Sequence, residues 1–321
     1  MHTDFKNCSV KICEICGTNF STMIKRTLYF GNAVRLRMQQ TQLLVEYPDS
    51  NESKSVPIED IGIVIIDHQQ VSITHGLMNA LIGNNAAVLW CDSHHLPNGL
   101  VLPMSANHVF TEKLRYQLDA SEPLKKQLWK QTVQAKILNQ AKVLERCGKN
   151  TDNMKYWADS VGSGDPDNYE GRAAAYYWKN IFEEQDKFTR HRFGDAPNNL
   201  LNYGYAILRA VVARSLVASG CLPAVGVFHR NKYNAFCLAD DIMEPYRPYV
   251  DILVLNILEE FADSFEGELT KEIKQELLQV PVIDVKIDGE SSPLMVGMQR
   301  TTASLMKCYE GESRKILYPE I

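Results

Sequence analysis

Between Phe228 and Asp251 the chain reads FHRNKYNAFCLADDIMEPYRPYVD, with one histidine, four carboxylates, two arginines and two prolines set among apolar residues. A buried carboxylate is costly unless it is paired or binds a metal. Asp240, Asp241 and Glu244 fall within five residues, and His229 precedes them by eleven. Carboxylate oxygens with an imidazole nitrogen suit a hard divalent ion such as Mg²⁺ or Mn²⁺. If the stretch is helical, Glu244 shares a face with Asp240 (i, i+4) or with Asp241 (i, i+3). Pro245 pushes Glu244 away from the α region, so a new helix starting at Pro245 is the other geometry. A capped helix start, with Asp240 as N-cap and Arg247 paired to an acid, explains the same residues without any metal. Spacing leaves these readings level.

The elements that must hold these residues change character along the chain. From Met23 to about Pro103 the pattern is strand-like: Arg26-Thr-Leu-Tyr-Phe, Ala33-Val-Arg-Leu-Arg-Met and Gln42-Leu-Leu-Val-Glu-Tyr carry β-formers. Ile61-Gly-Ile-Val-Ile-Ile reads as a strand buried on both faces. Thr74 caps a short helix from His75 to Ile82, Ala87-Val-Leu-Trp-Cys is another strand, and Leu96-Pro-Asn-Gly-Leu is a turn leading into Leu100-Val-Leu. Beyond Ser105 the period becomes helical, with amphipathic segments near 111–148, 170–189, 197–218, 249–263 and 292–312, and SVGSGDPDNYEG (160–171) as the clearest loop. The expected fold is α+β: residues 1–22 as an extension, a small β-rich domain over 23–104, and an all-α domain over 105–321.

Composition narrows the function classes. The 321 residues are 45% apolar, enough for a sizeable core, and no long apolar run or export leader is present, so a cytoplasmic chain with no membrane partner is expected. Eight scattered cysteines suit a reducing compartment better than a disulfide scaffold. Cys13 and Cys16 form half of a zinc knuckle, but no second Cys-x-x-Cys follows, so zinc is not expected there. The net charge of −5 argues against a nucleic-acid partner in general. Between 111 and 149, however, nine Lys or Arg face four acids, which leaves room for a local basic groove.

The words that separate these readings are ADDIMEPYRPYVD, together with LYFGNAVRLRMQQTQL, VPIEDIGIVIIDHQQVSIT, NNAAVLWCDSHHLPNGLVLP, YEGRAAAYYWKNIF and NNLLNYGYAILRAVVARSLVASGCLPAVGVFH. In their order along the chain they resemble the CRISPR-associated spacer-acquisition integrases, in the style of the type II-like subfamily, over nearly everything from Met23 to about Val254. The resemblance implies a metal-dependent integrase and endonuclease of CRISPR adaptation, part of antiviral defence. It would join 3′-hydroxyl ends of foreign DNA into the CRISPR repeat. Glu170, His229 and Glu244 are the catalytic metal ligands it implies, for Mg²⁺ or Mn²⁺, with Asp241 as a secondary acid. The partners it implies are double-stranded DNA (prespacer and repeat), a second copy of the chain joined through the N-terminal domain, the small Cas2 protein and the effector nuclease.

Two other functions fit the same residues: a stand-alone metal-dependent nuclease of branched or single-stranded DNA, and a non-catalytic DNA-binding scaffold. Arg209 and Arg214 are the candidate phosphate contacts, because arginine binds phosphate bidentately. Asn199 and Asn202 are weaker candidates to orient DNA. Cys91-Asp-Ser-His94-His95 reads as a turn rather than a zinc site, Cys221 and Cys237 as core thiols, and Tyr169, Tyr176, Tyr177, Tyr203 and Tyr205 as helix packing.

Overall fold

The structure, a computed structural model, describes residues 25–48, 53–93, 95–104, 106–182, 188–191, 194–262 and 265–321. Cys13 and Cys16 lie outside the described residues. The chain separates into two compact units along its length, with Pro103 ending the first and Met104 opening the second.

In the first unit the strands are β1 (Arg26–Phe30), β2 (Arg35–Gln39), β3 (Gln42–Glu46), β4 (Ser53–Pro57), β5 (Ile61–Ile66) and β6 (Ser72–Ile73); helix α1 (His75–Gly83) follows, then β7 (Ala87–Cys91) and β8 (Pro97–Val101). One sheet runs β1-β5-β7-β8 and the other β4-β3-β2-β6. Strand β5 pairs in parallel with β1 and β7, and all six of its residues are buried, as its unbroken apolar run requires. Strands β2 and β3 join through Gln40 and Thr41, both at positive φ, the twist a two-residue hairpin loop needs. Thr74 caps α1 by accepting from Leu77 N, and Leu77 and Leu81 on that helix pack with residues of both sheets in one core.

One local expectation fails here. The stretch from Leu96 to Leu100 is not a turn, because Pro97 already begins β8. The reversal lies earlier, where Asp92 Oδ1 accepts from Leu96 N at 3.0 Å and His95 takes a φ of 61°. Strand β8 ends its sheet, and a proline is tolerated at the first residue of such an edge strand.

The second unit is helical: α2 (Phe110–Leu118), α3 (Glu122–Arg146), α4 (Asp152–Ser160), α5 (Tyr169–Ile181), α6 (Asn198–Ala218), α7 (Cys237–Met243), α8 (Arg247–Glu260), α9 (Lys271–Leu277) and α10 (Leu294–Tyr309). The segment read as one helix from 111 to 148 breaks at Ser121, which caps α3 by accepting from Leu124 N while Pro123 blocks continuation from α2. The unit also contains an antiparallel hairpin that the expectation of an all-helical domain omitted, β9 (Asp284–Ile287) with β10 (Glu290–Pro293). Helix α6 is buried on nearly every face and forms the centre of the unit. It meets α8 closely at Gly204, where a Cβ would stand 2.6 Å from Val250 Cγ1. Among the described residues no helix is long and apolar enough to cross a membrane.

Candidate active site

Glu170 sits in the first turn of α5, and the 160–171 loop fixes it there. The Asp165 carboxylate accepts from both Tyr169 N and Glu170 N at 2.9 Å, and Asn168, at φ 53°, accepts from Gly171 N at 3.2 Å. These bonds satisfy N–H groups that a helix start leaves open. Glu244 lies where α7 stops. Pro245 and Pro248 each lack an N–H donor, and the chain passes from α7 through a single 3₁₀ turn, Glu244–Tyr246, into α8. Glu244 therefore stands between two helices, but it keeps helical dihedrals (φ −52°, ψ −47°), so Pro245 does not push it out of the α region as expected.

Lys136 on α3 joins the two glutamates. Its Nζ lies 2.5 Å from Glu170 Oε1 and 2.6 Å from Glu244 Oε2, and the residue is only 7% exposed. Arg247 Nε donates to the other Glu244 oxygen at 2.8 Å. Burial pushes the Glu244 carboxyl up, but the charges of Arg247 and Lys136 outweigh it and hold the group at about 2. Burial disfavours the Lys136 ammonium, yet Glu244 and Glu170 together raise its pKa above the usual lysine value. Lys136 thus serves both glutamates, with its Nζ against the buried Oε2 of Glu244 as well as Oε1 of Glu170.

His229 comes from the loop before α7. Its Nδ1 is 2.5 Å from Asp241 Oδ1, and the fully buried Asp241 also accepts from Phe228 N at 2.9 Å. The bond to Asp241 raises the His229 pKa against the opposing effect of burial, and the charges of Glu244 and Glu170 add to the rise. The imidazole thus feels both glutamates. Trp129 of α3 meets the ring edge-on at 5.5 Å and stacks on Phe228 at 4.4 Å. With Nδ1 held by a carboxylate, Nε2 is the nitrogen left for a ligand, the arrangement that orients metal-binding histidines.

Among the described residues no three acids, histidines or cysteines stand close enough together to hold a metal as they are. The cation that Glu170 and Glu244 share is the Lys136 ammonium. The donor set still fits a divalent ion: two carboxylates already turned to one cation and an imidazole held through Nδ1 by Asp241.

Comparison with known proteins settles the family. The family model for CRISPR associated protein Cas1 matches residues 28–274. The chain belongs to this family. A CRISPR-associated endonuclease Cas1 of Neisseria meningitidis serogroup C (strain 8013) is 40% identical over 302 residues, which cover 93% of this chain and 97% of that protein. One from Pyrobaculum aerophilum is 26% identical over 285 residues, covering 85% of this chain and 95% of the relative. Among solved structures, a casposase bound to integration product superposes with a TM-score of 0.76 at 20% identity, covering 91% of this chain and 92% of the other. A Cas1 protein from Thermotoga maritima superposes with a TM-score of 0.74 at 16% identity, covering 92% and 100%. At these identities the two structures speak for a shared fold.

Several residues singled out in the sequence have other partners. Arg214 is 3% exposed inside the α6 core, so it presents no guanidinium to a phosphate; the arginine expected at the DNA is a buried one. Arg209 is paired with Asp240, Nε to Oδ1 at 2.7 Å, and stays partly exposed. Asp240 thus belongs to that pair and to Asn234 Nδ2 rather than to the glutamate cluster. Asn199 donates to Gly267 O, and Asn202 accepts from Arg190. Tyr177 and Tyr205 both donate to the buried Asp251, and Tyr203 is fully buried. Cys221 and Cys237 are buried thiols, and burial pushes Cys221 up to about 12.

Sequence reasoning passed over Lys136, counting it only as one basic residue of a charged helix. Its signal was positional. Trp129, Val133, Lys136 and Gln140 follow one another at spacings of four, three and four, so the lysine falls on the buried stripe of α3. A cation on a core-facing stripe needs a carboxylate opposite it.

Proposed function

We propose that the chain joins the 3′-hydroxyl end of a DNA fragment to a phosphodiester at the edge of a CRISPR repeat, with Glu170, His229 and Glu244 as ligands of a catalytic Mg²⁺ or Mn²⁺. The oxygen–phosphorus bond to the incoming 3′-oxygen forms as the phosphorus bond to the 3′-oxygen of the nucleotide flanking the repeat breaks, and that oxygen leaves as a hydroxyl while the attacking hydroxyl gives up its proton. One phosphodiester replaces another, so neither a protein nucleophile nor an energy source is consumed. When bound, the ion would lower the pKa of the attacking hydroxyl and stabilise charge on the phosphorus oxygens.

The protein groups do the rest. Asp241 holds the Nδ1 proton of His229 and keeps Nε2 toward the ligand side. Arg247 keeps Glu244 ionised at any physiological pH. Trp129 and Phe228 wall the imidazole and limit its rotation. Arg209, partly exposed, is the one of the two arginines named in the sequence that can still reach a phosphate.

The observation that carries this reading is the pair of distant glutamates brought onto one cation beside a carboxylate-held histidine, in a Cas1 family member. The name of the Neisseria relative, an endonuclease, supports phosphodiester chemistry, and the casposase caught with integration product supports joining. A Cas6-RT-Cas1–Cas2 complex shares the fold with a TM-score of 0.73 and supports Cas2 as a partner; a homodimer is the assembly the family resemblance implies beside it.

The test is joining of a labelled 3′-hydroxyl fragment into a supercoiled repeat plasmid, with and without Cas2. Joined product that disappears in Glu170→Gln, His229→Ala and Glu244→Gln, while DNA binding persists, is the expected result. Cleavage without joining under every condition would replace integration with the stand-alone nuclease reading.

A further inference from the structure

Lys136 occupies the position that the two glutamates would offer a divalent ion. Its Nζ makes both short contacts, 2.5 Å to Glu170 and 2.6 Å to Glu244, so an ion taking those oxygens has to displace it. Glu244 would keep Arg247 on its other oxygen, but Lys136 would lose both partners at once. A buried ammonium stripped of its carboxylates is strongly disfavoured, and a nearby divalent cation repels it further. Metal binding to the protein alone therefore works against this lysine.

The lysine can escape in only some directions. Lys136 and Glu244 are buried, whereas the Glu170 side chain is 29% exposed, so the open side of the cluster lies along Glu170. The flexible four-carbon stem of lysine lets the ammonium swing that way without moving α3. On that side a phosphate of a bound DNA strand would accompany the metal and offer the ammonium a new partner.

Resting on the metal-ligand reading of Glu170 and Glu244, we propose that Lys136 is a built-in competitor for the metal position that makes metal and DNA binding cooperative: it fills the site without DNA and moves to a DNA phosphate when the ion enters. The coupling is reciprocal, so DNA tightens metal binding by the same factor as metal tightens DNA binding. The site would then remain in its lysine-filled, inactive form until DNA arrives.

The experiment is a Mn²⁺ titration of the full chain, read as free Mn²⁺ by electron paramagnetic resonance, with and without a short duplex ending in 3′-dideoxynucleotides that cannot attack. For the wild-type chain the duplex should tighten Mn²⁺ binding by a factor in the range of about 5–150 typical of coupled sites. Lys136→Met should bind Mn²⁺ without DNA more tightly than wild type by a comparable factor, and the duplex should add little. Its thermal midpoint in EDTA should fall below wild type and rise more on Mn²⁺ addition. Lys136→Gln, which keeps a polar group at the position, repeats the measurement if the methionine variant folds poorly. If both variants bind Mn²⁺ no more tightly than wild type while Glu170→Gln abolishes binding, the competitor role is wrong and the ligand reading stands. If Glu170→Gln binds Mn²⁺ as wild type does, the ligand reading fails and the competitor role with it.

Discussion

Asp241→Asn isolates what the buried carboxylate does for His229. In the native chain Asp241 accepts from His229 Nδ1 at 2.5 Å, from Phe228 N at 2.9 Å and from His229 N at 3.4 Å. An asparagine keeps one oxygen. If that oxygen faces Phe228 N, its amide NH₂ faces His229 Nδ1, and the imidazole proton must move to Nε2. The nitrogen meant for the ligand then carries a hydrogen. If the side chain flips, NH₂ meets the Phe228 N–H instead, and a buried donor loses its acceptor. A hydrogen bond to a charged group contributes about 1.5–3 kcal/mol. The His229 side chain is 47% exposed and water replaces part of the loss, so the stability effect belongs at the lower end, about 1.5 kcal/mol. That lowers the melting point by roughly 5 °C in a domain of this size. Metal affinity and joining rate should fall about 10–100-fold, the usual cost of losing a carboxylate behind a metal-binding histidine. Asp241→Ala leaves room for a water to accept from Nδ1, so it should lose less activity than Asn and more stability. The assay is fragment joining together with a Mn²⁺ titration and a thermal melt. A joining rate for Asp241→Asn within about twofold of wild type would refute the claim that this carboxylate sets the histidine tautomer.

Two further substitutions test the packing around the site. At Gly226 a Cβ would stand 2.3 Å from His229 O and 2.9 Å from Asp241 Oδ2, so Gly226→Ala should displace the histidine and depress joining, whereas Gly76→Ala, with nothing within 4 Å, should leave it unchanged; equal activity of the two variants would count against the geometry. Asp251, buried between the hydroxyls of Tyr177 and Tyr205, has a carboxyl that burial pushes up to about 6 from 3.8, against the lowering effect of those hydrogen bonds and of Arg247 and Arg190. The folded state thus holds this proton more tightly than the unfolded one, so its stabilising contribution is complete below pH 3.8 and lost as the pH rises to about 6. The difference amounts to about 3 kcal/mol at most. Asp251→Asn should flatten that slope in urea denaturation, and parallel wild-type and variant profiles between these limits would overturn the assignment.

Much of the fold was legible because hydrophobic period reports burial directly. The run of β5 read as a buried strand and is one, and the change of period near Ser105 falls beside the point where one compact unit gives way to the next. Short elements were lost for the same reason in reverse: α9 and the β9–β10 hairpin are too brief to show a period. At the site, the residue types near Glu244 suggested a cation partner, but nothing local in the sequence ties Glu170 to Glu244. That link passes through Lys136 on a third helix. Arg214 was misread because its helix is buried all round, so arginine chemistry could not tell an outward guanidinium from an inward one.

Helix α3 gives the site its dimensions, and Asn139 shows how. Three residues along the helix from Lys136, Asn139 Nδ2 donates to Pro245 O at 2.8 Å and to Pro319 O at 2.9 Å, while its Oδ1 accepts from Ile321 N at 3.2 Å. Lys136 thus grips the Glu244 side chain while Asn139 grips the backbone one residue later. Two fixed points on a rigid helix define where the carboxylate sits. Pro319 and Ile321 share the second point, so their segment is part of the scaffold of the site. Asn139→Ala would leave two buried carbonyls and one half-buried N–H without their partner. At about 1 kcal/mol or more for each, stability should drop by roughly 3 kcal/mol. The stated role demands more than that loss. At a temperature where the variant is still folded by circular dichroism, its Mn²⁺ affinity and joining rate should both fall, because the Glu244 turn is no longer held in register with Lys136. A variant that melts early but binds Mn²⁺ and joins DNA at the wild-type rate per folded molecule would reduce Asn139 to a stabilising contact, and the dimensions of the site would have to come from α7 and α8 alone.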